Sequence, residues 1–196
     1  MGKNPSNFKG ANRPVERVSW FDCVRFCNEL SRLEGLTSVY TLTADQDRHG
    51  DEASRVDWNQ EANGYRLPSE HEWEWAARAR SSFEYSGSND LDHVAWCEGN
   101  SAGHTHPVGY KKANRWGLCD LSGNVEEWCQ NLFKNLTPDP YQYTNHGRDW
   151  RSRRGCGWGY SSLFASLGSR RKMRPFYRDN CLGLRVLKPT KSVTKS

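Results

Sequence analysis

Long apolar runs and CxxC cysteine pairs are both absent from the sequence. Hydrophobic residues make up only 35% of the chain against 26% charged residues. No stretch approaches the roughly 18 consecutive apolar residues that a membrane-crossing helix needs, and no signal-peptide pattern is present. The seven cysteines match neither a zinc-site nor a thioredoxin spacing, so we expect most of them to be small buried hydrophobes, with an odd number leaving at least one free thiol.

Tryptophan is abundant, with nine copies among 196 residues. A chain of this length can bury one core. We therefore predict a single domain over residues 1–190, built on aromatic anchors and followed by a tail at 188–196. No internal repeat is present, and the long polar stretches between a few patterned segments predict an α+β fold with low regular content.

Two helices have clear start signals. Ser19 and Asp22 precede apolar residues at helical spacing, and Gly35 ends that segment. Ser69 and Glu72 form a second capping box, which predicts a helix to about Arg80. Acidic residues in its first turn are expected to stabilise the helix dipole, which we favour over an acid/base cluster around His71.

The remaining elements are short antiparallel strands and long loops. The sequence predicts strands at 39–42 and from a turn at 122–124 to Trp128, with loops at 43–60 and 81–116. His104 and His106 have no third ligand nearby, so a metal site there is disfavoured. Glu127 lies in an apolar frame and needs a partner, for which the sequence leaves an arginine (Arg153, Arg154 or Arg185) or a hard cation open.

Positive charge is concentrated near the C-terminus. Residues 148–196 hold 13 Lys+Arg and 2 Asp+Glu, whereas the rest holds 15 and 21. A basic tail invites a nucleic-acid interpretation. We disfavour nucleic acid as a partner, because the cluster lacks a helix or strand pattern that would fit a groove and because several arginines are expected to pair with buried acids upstream.

The segment 153–187 has patterned ends and an unpatterned middle. Gly155, Gly157 and Trp158 predict a tight backbone passage followed by an anchor, and 182–186 alternates as a half-buried strand does. The middle has neither helical nor strand period and mixes aromatic with charged residues. A fixed frame that holds such a loop is typical of a binding surface.

Six stretches in this order resemble the formylglycine-generating enzyme (sulfatase-modifying factor) family. They are NPSNFKG at 4–10, PV…VSW at 14–20, GYRLPSE…EWE at 64–74, GL…GNV…EW at 117–128, RG…W at 154–158 and GLRV at 183–186. The resemblance implies a variant of the C-type lectin fold with the last segment beside the active or binding surface. The family domain begins with a strand pair upstream of the first stretch, so we expect those strands to be missing here.

The chemistry of the family's enzymes is not matched. Those enzymes use two cysteines, five positions apart in the C-terminal segment, which hold copper and activate oxygen. The corresponding places here are Tyr160 and Ala165, and neither side chain is a copper ligand. Cys156 and Cys181 lie in the segment but out of register. The resemblance therefore favours a protein without this enzymatic activity.

The C-terminal segment is similar to that of another branch of the fold, the variable proteins of diversity-generating retroelements, those of Treponema among them. Their fixed frame matches Trp158, Ser162, Arg170, Pro175 and Arg178 here. The resemblance implies a ligand-binding surface at the variable positions, which are Gly159, Tyr160, Ser161, Leu163, Phe164, Arg171, Lys172, Met173, Phe176, Tyr177, Asp179, Asn180 and Cys181.

The resemblance carries three further expectations. The function is non-catalytic binding of a protein or cell-surface ligand, with a sulfatase-modifying-factor-like enzyme of divergent or lost oxidase activity as the alternative. The location is the cell surface or the extracellular space, with lipid attachment as one route. No cofactor is certain, but a structural calcium ion is implied through the carbonyls of Gly123 and Val125 and the carboxylate of Glu127.

Overall fold

The computed structural model describes residues 4–46, 52–133 and 150–188. The described chain is α+β with low regular content, as predicted. Its helices are α1 (Trp20–Leu33), α2 (Glu70–Arg78) and α3 (Leu91–Val94). Its strands are β1 (Tyr40–Gln46), β2 (Glu52–Trp58), β3 (Glu126–Leu132), β4 (Arg151–Arg154), β5 (Arg171–Met173) and β6 (Leu182–Gly183), with a 3-10 turn at Ser162–Phe164.

Both predicted capping boxes are present and set the helix starts. The Ser19 hydroxyl accepts from the backbone N–H of Asp22, and the Asp22 carboxylate accepts from Ser19 N–H. Ser69 and Glu72 make the same reciprocal pair at α2. Helix α2 ends at Arg78, slightly before the predicted Arg80, because Ala79 takes a left-handed conformation with φ of 45°.

The prediction of a loop over 43–60 was wrong. Strand β1 continues to Gln46 and pairs antiparallel with β2, with Leu42 opposite Val56. These two side chains pack partly buried against the main core. Tyr40 opposite Trp58 lies on the same face, but polar residues follow these two pairs, so only a short apolar alternation marks each strand in the sequence.

A four-stranded sheet with the order β5-β4-β3-β6 lies at the centre of the chain. Strand β3, predicted to end at Trp128, continues to Leu132 and runs antiparallel to β4 and parallel to β6. Its register sets Glu127 opposite Arg154, while Arg153 of β4 lies opposite Arg171 of β5. The sheet therefore brings acids and arginines together across three strands.

Tryptophan anchors fill the core, as the composition predicted. Trp20, Trp73 and Trp128 are almost completely buried. Each indole N–H has a partner: Trp20 donates to Cys129 O at 2.9 Å, Trp128 to Val18 O at 2.9 Å and Trp73 to the Glu127 carboxylate at 2.7 Å. Large rings whose polar atoms are satisfied hold the strands in place with little regular structure.

The stretch from 81 to 116 is mainly loop, as predicted, with the four-residue α3 and turns inside it. Asn114 holds this stretch to α2, since its amide donates to the carbonyl of Ala76 at 2.8 Å. Among the residues that the structure describes, none forms a helix long and apolar enough to cross a membrane.

Candidate functional site: the C-terminal surface

A buried ion-pair cluster lies beneath the C-terminal segment. Glu126 is fully buried and pairs through one oxygen with Arg153 at 2.6 Å and through the other with Arg171 at 3.0 Å. Burial raises the pKa of Glu126 to about 7, and the two guanidinium groups oppose that shift. Glu126 belongs to β3, Arg153 to β4 and Arg171 to β5. The cluster therefore ties the central strands of the sheet to the C-terminal segment.

Arg154 forms a second buried cluster on the opposite face of β4. Its guanidinium bonds Glu70 at 3.1 Å, Glu74 at 2.7 Å and the carbonyl of Leu167 at 2.6 Å. Arg170 also pairs with Glu70, at 2.5 Å. The acids of the first α2 turns therefore bind arginines of the C-terminal segment, which confirms the expected pairing of its arginines with upstream acids.

Glu127 takes one of its predicted arginine partners, Arg185. The guanidinium bonds both carboxylate oxygens at 2.8–3.1 Å. The indole N–H of Trp73 donates to the same carboxylate. Neutralisation by Arg185 removes the need for a metal at this acid.

Val125 and Glu127, two of the three implied calcium ligands, line a cavity of about 410 Å³ together with Asp120. Asp120 was not among the predicted ligands. Burial raises its pKa, and its carboxylate accepts from Gly109 N–H at 2.7 Å. Because Glu127 already accepts four bonds, its oxygens fit an arginine partner better than a calcium ion. A calcium ion at Gly123, Val125 and Glu127 stays a prediction. In the described ranges, no three His, Cys, Asp or Glu side chains group as metal ligands.

A continuous series of side chains crosses the surface above Glu126. The Arg171 guanidinium lies over the rings of Phe164 and Tyr160, at 4.7 and 4.2 Å from their centroids. The Tyr160 hydroxyl lies 3.3 Å from the Asp179 carboxylate, which the Tyr177 hydroxyl approaches to 3.4 Å. Five of the predicted site residues therefore form one connected surface, although they come from three separate parts of the segment.

Large apolar side chains on this segment are exposed. Leu163 is 84% exposed, Phe176 56%, Tyr177 41% and Phe164 40%. These four residues contribute nothing to the three core clusters. Exposed aromatic and aliphatic side chains next to an arginine and an acid are the side chains that protein interfaces enrich.

Three predicted site residues have other surroundings. Lys172 extends towards the rings of Phe133 and Trp150, at 5.3 and 5.2 Å. Met173 packs partly buried against the main core. Cys181 is only 5% exposed. Successive β5 side chains point to opposite faces, so Lys172 faces away from Arg171.

A cleft of about 320 Å³ borders the connected surface. Tyr160, Asp179, Asn180 and Cys181 line one wall, and Glu98, Ser101 and Gly103 line the other. Ser101 donates to Trp158 O at 2.9 Å and Glu98 N–H to Tyr160 O at 3.0 Å. No pattern in the sequence points to residues 98–103 as part of the site, because about 60 residues separate this loop from the segment that it contacts.

The predicted backbone passage before this surface is present. Gly155 has a φ of 78°, a backbone conformation that residues with a Cβ atom rarely adopt. A Cβ on Gly157 would lie only 2.7 Å from the Cβ of Cys181. Trp158 then donates its indole N–H to Asn180 O at 2.9 Å. The start and the end of the segment are thus fixed to each other beneath the exposed side chains.

The two places that correspond to the enzyme cysteines differ in burial. Tyr160 is half-buried beside Arg171, and Ala165 is fully buried. Cys156 lies in the same apolar cluster as Ala165. Burial raises the pKa of Cys181 to about 12, so this thiol is protonated at neutral pH.

The sulfatase-modifying factor enzyme 1-like domain matches residues 1–190. The chain belongs to this family and has its C-type lectin-like fold. Among solved structures, Treponema denticola variable protein 1 superposes with a TM-score of 0.83 and 32% identity, covering 96% of this chain and 79% of that one. CarF superposes with a TM-score of 0.74 and 28% identity, covering 95% and 71%.

Two further relatives extend the comparison. PvdO from Pseudomonas aeruginosa, with a TM-score of 0.66, 24% identity and coverage of 91% and 63%, shares the fold. Chaperone protein LppX from Paenibacillus barcinonensis is 40% identical over 185 residues, which are 81% of this chain and 63% of LppX. The chain therefore spans less than two thirds of the length of that curated relative.

Proposed function

We propose that this protein is a non-catalytic ligand-binding protein whose C-terminal surface is diversified, as in retroelement variable proteins. The observation that carries this proposal is the connected surface in which the half-buried Tyr160, Arg171 and Asp179 join the exposed rings of Phe164 and Tyr177 above buried ion pairs. The ligand is a protein or another cell-surface molecule. The chain's 32% identity to a variable protein over nearly its whole length supports the same role.

The division between frame and surface supports this role physically. Arg153, Arg154 and Trp158 hold the backbone through buried contacts. Leu163 and Phe176 reach solvent and hold little of the fold. Side chains at such positions can change without moving the backbone, and Tyr, Phe and Arg provide large contact areas at modest entropic cost.

An enzyme of the sulfatase-modifying-factor type is the alternative. It would need a soft-ligand copper site, for which thiolates are the natural donors. The corresponding residues are Tyr160 and Ala165, and Cys156 is fully buried. Incubation of the copper-loaded protein with oxygen and a Cys-X-Pro-X-Arg peptide should leave the peptide thiol unchanged. Conversion of the cysteine to an aldehyde would favour the enzyme.

A chaperone-like role is a second candidate, favoured by the 40% identity to a protein named as a chaperone. A chaperone-like role, like the first proposal, is non-catalytic binding of a protein. It differs in that the ligand would be a partner protein that is still folding. The chaperone-like role can be tested by measuring the refolding yield of a chemically denatured test enzyme with and without this protein. An increase that the surface substitutions Leu163→Ser and Phe176→Ser abolish would support a chaperone surface. A yield that does not change would remove the candidate.

The diversified-surface proposal can be tested with a displayed library. Leu163, Phe164, Phe176, Tyr177 and Asp179 are randomised together, and the library is selected against lysozyme as a folded probe. We expect binders whose melting temperatures stay within a few degrees of the parent. A matched library at the buried residues Leu121, Leu167 and Leu182 should give no folded binders. Failure of the surface library to yield folded proteins would refute the proposed division.

We further propose that the protein acts at the cell surface or outside the cell, where a diversified surface meets its ligands. The likeness to the variable protein supports this location. In the organism that carries the gene, a membrane-impermeant amine reagent should label the protein on intact cells. Labelling that requires cell lysis would contradict a surface location.

A further inference from the structure

Cys97 and Cys156 are buried together beneath the cleft. Their exposures are 1% and 0%, and both belong to an apolar cluster with Val94, Ala95 and Ala165. Neither cysteine has a role in the proposed binding surface. One lies in the loop that forms a wall of the cleft, and the other lies in the passage that leads to Trp158.

The backbone of Tyr160 brings these two thiols together. Its carbonyl accepts from the N–H of Glu98, the residue after Cys97, at 3.0 Å. The same carbonyl lies 3.8 Å from the Cys156 sulfur. On the far side, the Cys97 sulfur lies 3.8 Å from the carbonyl of Ser122. The two side chains therefore enter one small space from opposite walls.

The proximity of the two thiols also shifts their pKa values in opposite directions. The hydrogen bond between them lowers the pKa of Cys97 below its ordinary value and raises the pKa of Cys156. Cys97 is therefore the thiol of the pair that loses its proton first. A thiolate with a second thiol in contact is the arrangement from which thiol–disulfide exchange proceeds.

We propose that Cys97 and Cys156 form a disulfide that joins the two walls of the cleft when the protein is in an oxidising environment. The oxidant is a small-molecule disulfide. Because both thiols are buried, the reaction proceeds from a local opening of the loop around Cys97. The Cys97 thiolate then attacks one sulfur of that disulfide, which forms a mixed disulfide and releases one thiol. The Cys156 sulfur then displaces the second thiol. Two protein thiols thus give one disulfide, and the oxidant is reduced to two thiols.

The other cysteines differ in their surroundings. Cys23 and Cys27 lie one turn apart on the buried face of α1, and burial raises the pKa of both thiols, so neither supplies a thiolate at neutral pH. Cys129 lies fully buried in another cluster. Cys119 is partly exposed. Cys181 packs against Gly159, where a Cβ would lie 3.2 Å from its sulfur. Among the described thiols, Cys97 and Cys156 are therefore the pair that we expect to form a disulfide.

The disulfide would constrain both the unfolded chain and the cleft. It closes a loop of about 60 residues, a length at which cross-linking removes much of the freedom of the unfolded state. It also fixes Glu98 and Ser101 relative to Tyr160, so the cleft would be held in one shape before a ligand arrives. The inference does not depend on the proposed function, since the cross-link forms whether or not the surface binds a ligand.

Peptide mapping of the full chain tests the link. The protein is equilibrated with oxidised glutathione, its remaining thiols are alkylated, and it is digested with trypsin without reduction. Cleavage at Arg80, Lys111, Arg154 and Arg170 gives peptides 81–111 and 155–170, each with one cysteine. We expect these two peptides to be joined. Recovery of both in alkylated form, or a link from Cys156 to Cys181, would overturn the proposal.

Thermal unfolding gives a second readout. Oxidation should raise the melting temperature of the parent protein by roughly 10 °C. The Cys119→Ala variant is the matched control and should show the same rise. Cys97→Ala and Cys156→Ala should show none. If a variant fails to fold, the peptide map of the parent protein still decides. A rise that persists without Cys97 would refute the assignment.

Discussion

Leu163 and Leu182 allow one chemical change to be compared at two sites of the same segment. Leu163 lies in the proposed binding surface and is 84% exposed. Leu182, in β6, is fully buried in the main core cluster. Leu→Ala removes the same atoms at both positions, so the difference in stability measures how much each side chain contributes to the fold.

The expected losses in free energy of unfolding at the two sites differ by nearly an order of magnitude. Full burial of a leucine side chain contributes about 1.5–3 kcal/mol. With roughly a sixth of its surface covered, Leu163 contributes less than about 0.5 kcal/mol by the same scale. Leu182→Ala loses its burial and leaves a cavity, for which the expected cost is about 2–5 kcal/mol.

Urea unfolding of the two variants and the parent checks these values. The free energies of unfolding come from linear extrapolation, and equal slopes confirm that the variants unfold to comparable states. We expect Leu163→Ala to match the parent within about 0.5 kcal/mol. A loss of more than about 1 kcal/mol at Leu163 would mean that this side chain is part of the fold, and the separation of frame from surface would be wrong.

Two further predictions concern the charged frame. Arg154→Ala should lower the free energy of unfolding by about 2–3 kcal/mol, because it leaves the Leu167 carbonyl unsatisfied and removes one of two arginine partners from each of Glu70 and Glu74, which keep Arg170 and Arg78. Arg154→Lys should not restore it, since lysine lacks the forked donor geometry, and full rescue by lysine would contradict this explanation. Glu72 has a pKa lowered to about 2, first by its bond with Arg66, so its contribution is complete above about pH 4.5 and disappears as pH falls towards 2. Because Glu72 is 38% exposed, solvent screening limits this contribution to about 1 kcal/mol. Urea unfolding at pH 5 and pH 2.5 measures how much free energy of unfolding each protein loses in acid. The loss should be about 1 kcal/mol smaller for Glu72→Gln than for the parent, and an equal loss in both would refute the assignment.

The sequence predicted the elements whose signals are local. Ser19 and Ser69 start the helices where their capping boxes placed them. The tight passage at Gly155 and the anchor at Trp158 were equally visible, because a left-handed backbone and a large indole each need a particular residue type. The pairing of β1 with β2 was missed, because the alternation at 40–43 is too short to show that β1 continues to Gln46, and Val56 and Trp58 stand in an otherwise polar stretch.

The candidate site was only partly predictable, since its geometry depends on contacts between distant residues. Resemblance to the family supplied the position of the surface, but not that Lys172 faces Phe133 and Trp150 instead of Arg171. It also did not reveal that Glu98 and Ser101 form the second wall of the cleft. Partner choice was open in the same way: Glu127 needed a cation, and only the fold selected Arg185.

Sequencing the DNA around this gene tests the diversified surface most directly. We predict a near-copy of codons 153–187 beside a reverse transcriptase gene. The copy should differ from the gene only where it carries adenine, and the differences should fall on residues 159–161, 163–164, 171–173, 176–177 and 179–181. The absence of a near-copy, or differences that fall on the codons of buried frame residues such as Arg154, would contradict the diversified binding surface.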